Sequence, residues 1–257
     1  MTYFTFHLVF ILPAIGVLTL SLPRSLYEFG GGRARWGVPL IALVAFVYTT
    51  PWDNYLVASE VWWYSPDRIL ATVGAVPVEE YAFFLLQPIL TGLFCFQYLM
   101  RRNRTNTPTG TQPQGAWPAW IGFLFFAALT GLGAGIIANE YTSGLYLALI
   151  LTWASPILAG MWLYDGETLW THRRAISYGV GIPTLYLWVA DWIAIHLDIW
   201  TISSQYTLGL TIFGLPLEEA TFFLMTNLLV VQGLLLLLYA SHETLSPSEH
   251  SGATASM

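Results

Sequence analysis

Seven stretches long and apolar enough to cross a bilayer take up most of this chain. They fall roughly at Tyr3–Leu22, Gly37–Val57, Val76–Met100, Trp117–Ala138, Ser143–Leu163, Ala175–Ile195 and Leu208–Ala240. A transmembrane helix needs about 20 mostly apolar residues, and each window supplies them. The expected fold is therefore all-α: a polytopic membrane protein with about seven transmembrane helices. Composition agrees, with 56% hydrophobic and only 9% charged residues, far from an ordinary soluble domain. The opening "MTYFTFHLVFILPAIGVLTLSL" has no basic leader, so it reads as a retained first helix rather than a signal peptide. Cys95 is the single cysteine, which excludes a disulfide framework. The last window is longer than a span needs and is expected to start as a surface turn. The polar tail beyond Ala240 is expected to be disordered.

Arginine placement sets an orientation. Arg24, Arg33 and Arg35 follow the first span, Arg101, Arg102 and Arg104 the third, and Arg173 and Arg174 the fifth. These loops share one side, and the other side carries only Arg68. By the positive-inside rule the arginine-rich side is cytoplasmic. The chain is thus expected in the cell membrane with its N-terminus outside and its C-terminus inside. The arginines form no basic stripe, so nucleic acid is not an expected partner.

Two segments then match in order. Asp53, Trp62, Pro77, Glu79-Glu80 and Phe83-Phe84 are followed downstream by Asp191, Trp200, Pro216, Glu218-Glu219 and Phe222-Phe223. The Asp-to-Trp spacing is identical in both. The expected domains are a first repeat over 1–100 and a linker with its helix over 101–142. A second repeat over 143–240 and a tail over 241–257 complete the chain. An even number of crossings separates the two units, so they run in the same direction. Two parallel three-helix repeats joined by a linking helix then put both acid clusters at one depth.

Acids are costly in hydrocarbon and call for a reason. Pro77 and Pro216 suit the first turn of a helix, and the glutamates behind them sit where the helix dipole favours negative charge. Dipole capping alone does not call for doubled acids, twice, in register with an aspartate and a tryptophan. Adjacent helical residues point about 100° apart, so at most one glutamate of each pair faces a given cavity squarely. A carboxylic acid in a dry site can serve as general acid and a second carboxylate as base. The candidate catalytic residues are Glu79, Glu80, Asp53, Glu218, Glu219 and Asp191. Glu79 or Glu218 is the expected proton donor, with the other half supplying the base. Aromatics crowd these acids, and desolvated aromatic faces stabilise a cation by roughly 2 kcal/mol. Trp62, Tyr55, Phe83, Trp200 and Phe222, together with Asn54, are the candidate substrate-binding residues. Most of the other aromatics read as an interfacial belt. His7, His172 and His196 lack metal-ligand spacing, so no metal is expected.

Absences narrow the function. No nucleotide-binding glycine fingerprint is visible, so no flavin or nicotinamide cofactor is expected. Without lysine there is no retinal Schiff base. Taken together, "PWDNYLVASEVWWY" with "GAVPVEEYAFFLLQP", repeated as "ADWIAIHLDIW" with "GLPLEEATFF", resembles the membrane-integral lycopene cyclases of the archaeal, fused two-half type. The resemblance runs from the first span to the seventh. It implies redox-neutral conversion of lycopene through gamma-carotene to beta-carotene, with no cofactor. Its implied partners are the carotenoid substrate, membrane lipid and other enzymes of the carotenoid pathway. Asn54 follows Asp53, but Trp192 follows Asp191, so the halves differ beside the acids. Rival readings are a carotenoid hydratase, a proton-coupled transporter and a carotenoid-binding subunit.

Overall fold

A computed structural model describes residues 1–103 and 116–240 of the chain. Arg104 and the tail beyond Ala240 lie outside the described residues. The apolar windows form seven long helices: α1 (Tyr3–Leu20), α2 (Leu26–Ala58), α3 (Val78–Asn103), α4 (Trp117–Ala138), α5 (Leu145–Thr171), α6 (Arg173–His196) and α7 (Leu217–Tyr239). The chain is a membrane protein: six of these helices are long and apolar enough to cross a bilayer. α2 has the length but not the hydropathy, because Arg33 and Arg35 dilute its first part and Pro51, Asp53 and Asn54 its far end. A Ser25–Glu28 capping box starts α2, which bends at Gly30 and Gly31.

Three small antiparallel ladders accompany the helices among the described residues. β2 (Thr72–Val73) and β3 (Val76–Pro77) form a hairpin immediately before α3. β5 (Thr211–Ile212) and β6 (Leu215–Pro216) form its counterpart before α7. The seventh window therefore reaches helix only at Leu217; its first residues make this loop and hairpin. Backbone conformation is the reason. Gly209, Phe213 and Gly214 all adopt positive φ, which no helix tolerates.

β1 (Trp62–Tyr64) and β4 (Trp200–Ile202) pair across the two segments, with Trp63 opposite Thr201. This ladder holds the loops after α2 and α6 together. The helices pack so that α3 and α7 line the middle, against α2, α5 and α6. One apolar core at one end of the bundle gathers Phe96, Met100, Leu234 and Leu235. Two others flank the hairpin end, one around Trp62, Tyr146 and Trp153, the other around Tyr3, Phe83 and Trp200.

Gly74 shows how tightly a hairpin is fitted. Its φ is +66°, and an added Cβ would lie 2.5 Å from Asn54 Oδ1. Gly74→Ala should lower stability by ~1–2 kcal/mol, the ordinary penalty of the left-handed region, with the contact adding to it. Thermal unfolding in detergent checks this.

Candidate active site

Each glutamate pair divides its work. Glu79 Oε1 accepts the Leu70 N–H at 2.8 Å, and Glu218 Oε1 accepts the Leu208 N–H at 2.8 Å. Both side chains turn back to the loop that precedes their helix, and both are buried. The backbone repeats the arrangement: Val78 N–H bonds the Ala71 carbonyl and Leu217 N–H the Leu210 carbonyl, each at 2.9 Å. These first glutamates fasten the start of α3 and α7. Glu79→Ala should therefore destabilise the protein by about 1 kcal/mol, the net worth of the lost bond to the Leu70 amide. A lower melting temperature in detergent is the readout.

The second glutamates face inward. Glu80 and Glu219 line one small chamber, together with Asp53 and Asp191. Helical geometry makes this division: one residue further on, the side chain has swung by about 100°. Asp53 comes from α2, Glu80 from α3, Asp191 from α6 and Glu219 from α7. The chamber is thus assembled from both repeat segments, and neither could form it alone. Trp62, Trp200, Phe83 and Phe222 supply its aromatic walls, with Phe6 and Phe223 beside them. No basic side chain lines it.

Phenols hold the glutamates in place. Tyr3 donates to Glu80 Oε2 at 2.5 Å and Tyr64 donates to the same oxygen at 2.9 Å. The Trp62 indole N–H, 3.2 Å from the Tyr64 oxygen, can only donate. It therefore occupies that oxygen as acceptor and leaves the phenol proton for Glu80. Removal from water, reinforced by the Glu80 charge, pushes the Tyr64 phenol well above its ordinary value, so it remains a donor. Tyr146 donates to Glu219 Oε1 at 2.7 Å, as Tyr3 does to Glu80. Ile202, which follows Trp200 by two residues as Tyr64 follows Trp62, has no hydroxyl, so Glu219 lacks the second phenol.

The aspartates also differ. Asp191 Oδ1 accepts the Trp200 indole N–H at 3.0 Å. Asp53, only 2% exposed, accepts no such indole bond, and both aspartates keep a buried Oδ2 with no hydrogen-bond partner. An orphaned buried carboxyl oxygen is rare enough to need a reason. Glu79 Oε2 and Glu218 Oε2 share that condition.

The other candidates have different places. Asn54 leaves the chamber lining and clamps the first hairpin: its Oδ1 accepts the Ala75 N–H at 3.1 Å, and its Nδ2 donates to Tyr81 at 2.9 Å. At the equivalent point of the second half, Trp192 lies under Gly214, 3.0 Å from where a Cβ would be. Tyr55 is 59% exposed and points away from the chamber. Tyr3, Tyr64 and Tyr146 were not among the sequence candidates. Tyr3 and Tyr146 each open the first helix of a segment, and that matching position was the available signal.

The chain is similar to known proteins over both segments. The lycopene cyclase family profile matches residues 1–99 and 141–238, one segment for each acid cluster. The chain is 38% identical to a lycopene beta-cyclase of Halobacterium salinarum, over 90% of this chain and 95% of the relative. It is 32% identical to a bifunctional lycopene cyclase/phytoene synthase of Gibberella fujikuroi, over 91% of this chain but 39% of that longer protein. A protein of the same description from Aspergillus oryzae is 31% identical over 93% of this chain and 40% of its own length. No solved structure matches. By family profile and by these relatives, the chain belongs to the lycopene cyclase family.

Proposed function

We propose that the chain is a lycopene beta-cyclase, closing the psi ends of lycopene to beta rings by way of gamma-carotene. The observation that carries the reading is the single chamber: four carboxyl groups, no basic side chain and aromatic walls. A proton adds to the terminal double bond and leaves a tertiary cation. The neighbouring double bond attacks, a carbon–carbon bond closes the ring, and a ring proton leaves. One proton enters and one departs, so the step is redox-neutral and needs no oxidant.

Asp53 is the proton donor in this scheme: its carboxyl lines the chamber and, unlike that of Asp191, is not engaged by an indole N–H. Glu80 is the base; the phenols of Tyr3 and Tyr64 orient it and stabilise its charged form. Asp191 and Glu219 supply the counter-charge from the other half. Trp62, Trp200, Phe83 and Phe222 shield the cation from water and face it with π-electron density, worth roughly 2 kcal/mol when desolvated. Glu79 and Glu218 act through the helix starts, as positioning residues. Asn54 acts through its hairpin, and Tyr55 meets lipid or solvent.

The two segments are read as parallel repeats about an axis along the membrane normal, with α4 as the linking helix. The N-terminus then lies outside and the chamber toward the outer leaflet. Expression in lycopene-producing bacteria, followed by pigment separation, tests the function. Beta-carotene is the expected product. Hydroxylated carotenoids would show that water quenches the cation, and unchanged lycopene would overturn the reading.

A further inference from the structure

The acid chamber has a neighbour. A second, roomier cavity shares Phe83 and Phe222 with it and continues between α2, α3, α5 and α7. Its walls are mostly carbon, including Val44, Ala45, Met161 and Leu229. The polar groups that reach it are largely engaged. Gln87 donates to Asn227 at 2.6 Å, and the Thr226 hydroxyl to the Phe222 carbonyl at 3.0 Å. Such a cavity has little to offer water or a polar ligand and suits an apolar chain.

This cavity meets the membrane face of the bundle at one seam. A shallow apolar groove on the outside of α2 and α5 shares Val44, Tyr48 and Trp153 with it. The two helices meet there chiefly through side chains. Tyr48 donates to the Trp153 carbonyl at 2.9 Å, and its ring stacks on Trp153 at 5.4 Å. Trp52 stacks on Trp153 at 4.6 Å and on Phe222 at 5.9 Å. The corresponding seam of the other half keeps the tyrosine latch, with Tyr186 donating to the Phe10 carbonyl at 2.6 Å. There Ala190 stands before Asp191 where Trp52 stands before Asp53, so the aromatic stack is absent.

We infer that the α2–α5 seam admits a long linear polyene from the lipid, and that the apolar cavity holds its chain while one end occupies the acid chamber. The identity of the polyene rests on the cyclase reading. From Ile41 to Asp53 the path follows α2 for roughly 18 Å at the usual helical rise. A long polyene exceeds that length, so its far end stays at the seam. Only one end reacts at a time, and the half-cyclised product must withdraw and return reversed.

Filling the cavity tests this. Ala45→Trp would occupy it without touching a carboxyl group. Leu185→Trp, on an exposed position of α6, is the control. Each full-length protein is expressed in lycopene-producing bacteria and purified in detergent. Its melting temperature, co-purifying polyene and cyclised product are measured. Ala45→Trp should retain about tenfold less polyene and yield correspondingly less product, while Leu185→Trp keeps both. If tryptophan prevents accumulation, Ala45→Leu is read the same way. A folded cavity-filled variant with normal retention and normal beta-carotene would overturn the seam and leave the cyclase reading standing. Wild-type protein that holds lycopene unchanged, and loses it on Ala45→Trp, would overturn the cyclase reading and uphold the seam.

Discussion

Asp53→Asn should reduce ring formation by roughly 10²- to 10⁴-fold, the usual contribution of a general acid, while the protein accumulates normally. The substitution preserves shape. It also removes no hydrogen bond from Asp53 Oδ2, which has none to lose. Loss of activity would therefore report chemistry rather than misfolding. Glu80→Gln is a less clean probe, because two phenols depend on that carboxylate. Lycopene remaining in cells, with wild-type amounts of protein in the membrane, is the expected result. Beta-carotene at wild-type levels would remove Asp53 from the role of donor.

Asp191→Asn should silence both ends of the substrate and not one of them. All four carboxyl groups line a single chamber, and two lie in each repeat segment. If each half served its own end of lycopene, disabling one would leave gamma-carotene as the main pigment. A shared chamber gives a different pattern: substitution in either half stalls the first cyclisation, and lycopene accumulates. We expect a loss of about 10²-fold or more, because Asp191 helps set the field in which the cation forms. Its indole partner Trp200 exchanges a carboxyl acceptor for an amide, so melting temperature is measured alongside pigment.

Much of this site was legible in the chain, for particular reasons. Apolar length marked the helices, and the doubled Pro-x-Glu-Glu words marked two related positions. Aspartate and tryptophan in register tied each word to the preceding helix. Which glutamate faced the cavity was not legible, because adjacent helical residues differ only in azimuth. The expected donors, Glu79 and Glu218, instead bond loop amides nine and ten residues before them. Those amides belong to irregular segments without a periodic signal. Tyr64 was equally hidden: its tie to Glu80 depends on the β1–β4 ladder, a pairing between residues far apart in sequence. The last span overran because Leu208–Pro216 is apolar, although the positive φ of Gly209, Phe213 and Gly214 turns it into a loop and hairpin. The asymmetry at Asn54 and Trp192 was visible, but its meaning lay in the hairpins, where each fills the space under a glycine.

Solvent isotope incorporation tests proton-initiated closure most directly. Purified protein is given lycopene in deuterated water, and the product is analysed by mass spectrometry. Beta-carotene carrying one deuteron for each ring formed, with no added reductant or nucleotide, is the expected result. Beta-carotene formed without deuterium would contradict a solvent-exchangeable carboxylic acid as the proton source.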